Sequence, residues 1–324
     1  MRRATLPRTS PRSLAAALLT SCALVLGVAL TPPAEAQPRF PGTVPLPAGS
    51  QPEGIAGGPG TTFFAGARTD GSIVRGDLRT GESRVLVRGQ EGRVAVGMRY
   101  DAATGRLWVA GGATGAVTAY DGRTGRELGR WVVPGSGFLN DVEVTRHAVY
   151  VTDSAVQRLV VVPLGRGSRL PGPDGARTLP LTGDLQYVEG FNANGVRALP
   201  GGQWLVVTQS ATGDLYRVSP RSGRTQRIDV SGPDLTGGDG LVLRGRTLYV
   251  VYGFSTDEAA VVRLDRRGLA GRVVGRVGDP DLDRPTTGII TARALYLVNG
   301  RFAVPPTPTT PYDVVRVEVP RRLR

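Results

Sequence analysis

The chain has 324 residues and a formal net charge of +13, and all 40 of its basic residues are arginine. Four of these (Arg2, Arg3, Arg8, Arg12) sit at the extreme N-terminus. The others are scattered through turn-like segments without a basic helix or interleaved aromatics, which argues against a nucleic-acid surface and makes the arginine usage read as a coding bias. The length admits one large domain or two ordinary ones, and 46 glycines and 25 prolines suit a fold that turns every few residues.

Residues 1–36 read as a secretory signal. Arg2 and Arg3 begin a basic region, Leu14 to Leu30 is an apolar run, and Ala34-Glu35-Ala36 offers small residues for cleavage before Gln37. The mature chain is therefore expected to be exported, to a secreted, periplasmic or cell-surface location. The one cysteine, Cys22, follows Leu19-Thr20-Ser21 in the manner of a lipoprotein box, but the apolar run continues well beyond it, so lipid anchoring there is the weaker reading. Cleavage near Ala36 leaves no thiol and no disulfide, so stability must come from packing. No second apolar run is long enough for a membrane span.

From residue 37 onward the pattern is alternation rather than helical spacing. Six copies of a polar residue, a small residue and an apolar strand follow one another: Glu53-Gly54-Ile55, Val96-Gly97-Met98, Asn140-Asp141-Val142, Asn194-Gly195-Val196, Asp239-Gly240-Leu241 and Thr287-Gly288-Ile289. Each precedes a second strand rich in β-branched and aromatic residues, such as Leu107-Trp108-Val109 or Leu248-Tyr249-Val250-Val251. A small sheet cannot bury both of its faces alone, whereas a closed circle of such sheets can. The expectation is an all-β, six-bladed β-propeller of four-stranded antiparallel blades, forming one domain over 37–324. The short strand around Val44 should close the ring by pairing with Asp313 to Val319, since this satisfies two open edges. Blade 3 carries a Gly/Pro-rich stretch, Arg166 to Asp184, that reads as a loop over the ring, and blade 6 carries an insertion, Phe302 to Tyr312, between its second and third strands.

The residue before the small position opens the innermost strand of each blade, so six such residues should surround the central channel: Glu53, Val96, Asn140, Asn194, Asp239 and Thr287. Two carboxylates and two carboxamides converging on one axis repel or lack partners, and a divalent cation resolves both problems. Oxygen-only donors suit Ca²⁺, Mg²⁺ or Mn²⁺. With one histidine and no mature cysteine, a nitrogen and sulfur zinc site is disfavoured. Asn-Gly and Asp-Gly are also common turn formers, so Asn194-Gly195 and Asp239-Gly240 admit a plainer explanation.

The motifs Gln51-Pro52-Glu53-Gly54, Phe138-Leu139-Asn140-Asp141, Asn192-Ala193-Asn194-Gly195 and Gly238-Asp239-Gly240, with Tyr150-Val151-Thr152-Asp153-Ser154, resemble the senescence-marker-protein (regucalcin) and gluconolactonase family of six-bladed propellers, over essentially the whole mature chain. The resemblance implies that Glu53, Asn140, Asn194 and Asp239 ligate one divalent metal ion at the channel mouth, calcium foremost and zinc included. It also implies hydrolysis of lactones or phosphotriesters, with Asp239 as general base or nucleophile. A cation held by neutral amides keeps much of its charge and can polarise a lactone carbonyl.

The second strands run back to the same face, so Asp153, Gln209, Tyr252 and Asn299 are candidates for contact with a small-molecule substrate. Each could equally be an ordinary turn residue. Tyr187, Phe191 and Asn192 are candidates for an apolar wall. His147 falls in the turn at the opposite end of its blade and reads as a surface residue. The leading expectation is an exported, monomeric, metal-dependent lactonase. The alternatives are a binding propeller with a structural ion, or a strictosidine-synthase-like ring without metal catalysis; fold alone does not choose among them.

Overall fold

A computed structural model describes residues 40–253, 256–291 and 294–323. The leader expected over residues 1–36, including Cys22, lies outside the described residues. Six antiparallel sheets follow one another along the chain, and their first strands touch in cyclic order, from Pro52–Gly57 through Met98–Asp101, Leu139–Val144, Ala193–Ala198, Gly238–Arg244 and Pro285–Thr291 back to the start. The ring closes as expected. Thr43–Leu46 is the outermost strand of blade 6, with Val44 opposite Val314 and Leu46 opposite Tyr312. Val44, Leu46, Tyr312 and Val314 are buried in a cluster that also holds residues of blade 1.

A chain shortened to begin after Pro47 would expose that cluster and the free edge of Tyr312–Val317. Burying one large apolar side chain is worth about 1.5–3 kcal/mol, and here at least two are lost together with a strand's hydrogen bonds. We expect a fall in melting temperature on the order of 10 °C or more, or outright aggregation. A scanning-calorimetry trace unchanged from the full chain would contradict ring closure by this strand.

Turn chemistry recurs between third and fourth strands. Asp121 accepts the amides of Arg123 and Thr124, and Gly125 follows in the left-handed region at φ 74°. Asp77 does the same for Arg79 and Thr80. Short hairpins of this kind let each blade pack its apolar faces on both neighbours, and Trp108 stacks on Trp131 in one such layer.

The stretch from Arg166 to Asp184 departs from the expected loop. Arg177–Pro180 is blade 3's own fourth strand, and Thr182–Gly183 runs on to pair in parallel with blade 4's outer strand. Asp229–Ser231 covers blade 5 in the same way. Both extensions protect edges that would otherwise offer unpaired amides to another chain. Among the described residues no helix is long and apolar enough to cross a membrane.

Candidate functional site

The inner strands share one local device that decides where side chains point. In blades 1, 3, 4, 5 and 6 the register against the second strand slips by one residue, between Pro52 and Ile55, Leu139 and Val142, Ala193 and Val196, Gly238 and Leu241, and Pro285 and Gly288. Each slip is a β-bulge, which re-aims the residues it contains. The re-aimed residue after Pro52, Leu139, Ala193 and Gly238 is Glu53, Asn140, Asn194 and Asp239. These four side chains line one cavity of about 360 Å³ at the mouth of the channel, with Arg68, Val96, Phe138, Phe191 and Phe302.

The glycines after Glu53, Asn194 and Asp239 are set by crowding at the axis. A Cβ on Gly54 would stand 2.0 Å from the carbonyl oxygen of Val96, and one on Gly195 2.6 Å from that of Asp239. At Gly54 and Gly195 a side chain would push neighbouring blades apart, whereas blade 3 carries Asp141 at this position and binds its carboxylate to Arg197 and the amide of Val196. Blade 6 departs from the sequence reading at this point. Its bulge places Gly288 opposite Leu297, so the ring-facing residue is Thr286, and Thr287 takes the crowded position beside Gly240. Thr286 spends its hydroxyl on the carbonyl of Glu53.

In the bulged blades the ring-facing residue lies against the residue one past the end of the second strand. Asn140 Nδ2 donates to Ser154 Oγ at 3.0 Å, and Asn194 Nδ2 donates to Ser210 Oγ at 3.0 Å. Each serine hydroxyl passes its own hydrogen to a neighbouring backbone carbonyl, Ala193 or Gly238. This holds both amides by their NH₂ ends. In blade 5 the corresponding residue is Gly253, where a Cβ would come within 2.1 Å of Asp239 Oδ2. In blade 1 it is Arg68, whose charge acts on Glu53.

This pairing explains why the four expected rim residues are elsewhere. Strand side chains alternate between faces, so a shift of one position turns a side chain away. Asp153 is fully buried and accepts the amides of Gly137 and Phe138 and the Arg158 guanidinium. Gln209 donates to Gln186 O and Asn192 Oδ1. Tyr252 donates to Asp234 O, under the Arg276 guanidinium. Asn299 binds Asp281 O and Asp313 and accepts the amide of Asp283. None of the four lines the cavity. Of the expected apolar wall only Phe191 does, since Tyr187 turns inward to donate to Asp153 O and Asn192 closes its own loop. His147 is an exposed turn residue. The residues that sequence reasoning missed are Arg68, Phe138 and Phe302 in the cavity and Ser154 and Ser210 behind it.

Electrostatics at the mouth are unfavourable for two bare carboxylates. Burial pushes the Glu53 carboxyl well above its ordinary range, with the nearby Asp239 and Asp141 adding to the effect. Glu53 Oε2 is buried without a hydrogen-bond partner among the described residues. Burial also raises Asp239 to about 7, against a hydrogen bond from Asn194 that favours the ion. Below the mouth, Asp141 and Arg197 form a buried ion pair at 2.6 Å, and Asp141 also accepts the amide of Val196.

A group that binds its proton more tightly when folded stabilises the fold fully at low pH, and this stability is lost as pH rises through the folded value. For Asp239 the window runs from its unfolded value of 3.8 to about 7. Chelator-treated protein should therefore melt at a lower temperature at pH 8 than at pH 5, with Asp239→Asn flattening the difference. A melting temperature that rises over this range would contradict the assignment.

The residues present fit a hard divalent cation. Two carboxylates destabilise one another, one carries an orphaned buried oxygen, and two amides are gripped by their NH₂ ends, which leaves their oxygens for the cavity. Among the described residues, no group of three or more His, Cys, Asp or Glu side chains could hold an ion, so the two asparagines are required members of any such set.

No protein-family model matches the chain, and no curated protein matches it. Solved structures do share its fold. The Malassezia sympodialis allergen Mala s 1 superposes with a TM-score of 0.66 at 12% identity, covering 86% of this chain and 97% of its own. A streptogramin B lyase gives 0.56 at 9% identity over 85% and 96%, and the virginiamycin B lyase of Staphylococcus aureus gives 0.52 at 8% over 80% and 77%. At these identities the likeness establishes the fold: this chain is an all-β propeller of six blades.

Proposed function

We propose that this protein is an exported hydrolase of lactones or similar esters that works with one divalent cation, Ca²⁺ foremost, held by Glu53, Asn140, Asn194 and Asp239. The observation that carries the reading is the convergence of these four oxygen donors, from four separate blades, on one cavity whose carboxyls are both raised by burial, the Arg68 charge offsetting only part of this at Glu53. When bound, the cation supplies Lewis-acid polarisation of a substrate carbonyl and offsets the repulsion between Glu53 and Asp239. Asp239 sits near neutrality on its own, so it can hold or release a proton at working pH. It is the general base that takes a proton from an attacking water, or the nucleophile itself. Val96 and the phenylalanines give the cavity an apolar wall, and Ser154 and Ser210 hold the Asn140 and Asn194 amides in place.

These serines provide a sharp check. Outer-shell partners typically matter by about 10–100-fold in metal affinity. Ser154→Ala and Ser210→Ala should each weaken Ca²⁺ binding by about that factor in calorimetric titration, while Ser→Thr retains part of it. Unchanged affinity in both alanine variants would show that the amides need no such support.

The direct test of function is hydrolysis of a panel of neutral and anionic lactones with Ca²⁺, Zn²⁺ or Mn²⁺, comparing the wild type with Asp239→Ala and Glu53→Ala. Turnover that needs both cation and Asp239 supports the reading. Cation binding without turnover of any lactone or phosphotriester would favour a binding propeller with a structural ion.

A further inference from the structure

We propose that Arg68, with Phe138, Phe191 and Phe302, forms a recognition subsite for an acid group and an apolar body, so that this cavity's substrates are apolar monoanions. Only the chemical class of the scissile bond, ester or lactone, rests on the hydrolase reading. The count of one charge rests on the proposed cation, and the pairing of an acid site with an aromatic wall rests on the geometry of Arg68 and the three rings.

The cavity wall away from the four oxygen donors is aromatic. Phe138 and Phe191 meet edge to face, with ring centroids 5.4 Å apart, and Phe302 lies beneath the Arg68 guanidinium at 5.0 Å. The chain has seven phenylalanines, and three of them, from three different blades, face this one space. Phe191 lines the cavity and is 44% exposed.

Each of the three is on a loop fastened by the last residue of a second strand. Asp153 holds the backbone amide of Phe138 itself. Gln209 ties down Gln186 and Asn192, on either side of the turn that ends in Phe191. Asn299, with the Arg301 ion pairs to Asp283 and Asp313, fixes the chain entering Phe302. Three separate loops are thus built to present rings to one cavity, as a preorganised site requires.

Arg68 supplies the charge. It forms no ion pair among the described residues, whereas Arg93, Arg158, Arg197 and Arg301 all do. Its guanidinium lies over the Phe302 ring and lines the cavity, and a guanidinium fork matches a carboxylate in two parallel hydrogen bonds. Glu53 and Asp239 together neutralise a divalent cation, so Arg68 leaves the loaded cavity with one surplus positive charge. A single anionic group balances it.

The test uses 2-naphthoate and its neutral counterpart 2-naphthamide as probes, titrated calorimetrically into the calcium-loaded protein. The wild type should bind the acid roughly tenfold more tightly than the amide, the size expected of a charge-assisted pair. Arg68→Gln should bring that ratio to about one, and Arg68→Lys should leave an intermediate ratio. Phe191→Ala combined with Phe302→Ala should weaken both probes alike. A ratio near one in the wild type, a ratio preserved in Arg68→Gln, or no binding of either probe would overturn the subsite. A protein that hydrolyses no lactone yet discriminates through Arg68 would lose the hydrolase reading and keep the subsite. Turnover of neutral lactones without such discrimination would do the reverse.

Discussion

Asp239→Asn should abolish turnover while making the cation-free protein more stable at pH 8. The carboxylate is buried, is raised to about 7, and faces Glu53 across the channel mouth. At pH 8 the folded protein must hold it ionised. A tenfold change in proton affinity corresponds to about 1.4 kcal/mol, so the isosteric amide removes a penalty of at most about 4 kcal/mol. On the proposed reading the same change deletes one of two anionic ligands and the group that moves the proton, so we expect a fall in kcat/KM of at least about 10³-fold and a large loss of Ca²⁺ affinity. Thermal melts at pH 8 with chelator, read beside lactone kinetics, check both halves. Simultaneous loss of stability and activity would mean that Asp239 is a packing residue.

Arg197→Leu should be among the most damaging single changes in the channel. Arg197 and Asp141 are both almost fully buried, and their 2.6 Å contact ties the inner strand of blade 3 to that of blade 4. Breaking a buried pair from one side typically costs about 3–5 kcal/mol, because the partner charge stays behind. The double variant Asp141→Asn/Arg197→Leu should recover much of that loss. The pair also sets the field at the mouth, since Asp141 raises both Glu53 and Asp239. Losing Arg197 alone should therefore move the Asp239 titration upward, and Asp141→Asn should move it down. Denaturant titrations give the stabilities, and the acid limb of the pH–rate profile gives the displacement of the titration. A mild single variant with an unmoved titration would contradict the role assigned to the pair.

What the sequence makes legible here follows from what repeats. Six blades and their closure at Val44 can be read because one motif position recurs, filled by glycine where adjacent inner strands crowd the axis at Gly54, Gly97 and Gly195 and by Asp141 in blade 3. Glu53, Asn140, Asn194 and Asp239 are visible because each directly precedes that residue. The bulge itself is not visible. It adds one residue to the inner strand, and without it Thr287-Gly288 passes for the same motif, although the structure puts Thr286 at the ring. Single-residue errors also hide the far side of the site. The ends of the second strands fall where the pattern places them, but Asp153 and Gln209 bond behind the cavity while Ser154 and Ser210 meet Asn140 and Asn194. The recurrence of serine at both of these aligned positions is the available signal. Arg68 and Phe302 have none, because what brings them together is the meeting of blade 6 with blade 1, which no local pattern encodes.

The most direct test of the shared-cation claim is anomalous diffraction from crystals of the protein grown with Mn²⁺. We predict one peak at the channel mouth within about 2.6 Å of an oxygen from each of Glu53, Asn140, Asn194 and Asp239. An absent peak, or a peak bound elsewhere while these four side chains keep their present hydrogen bonds, would contradict it.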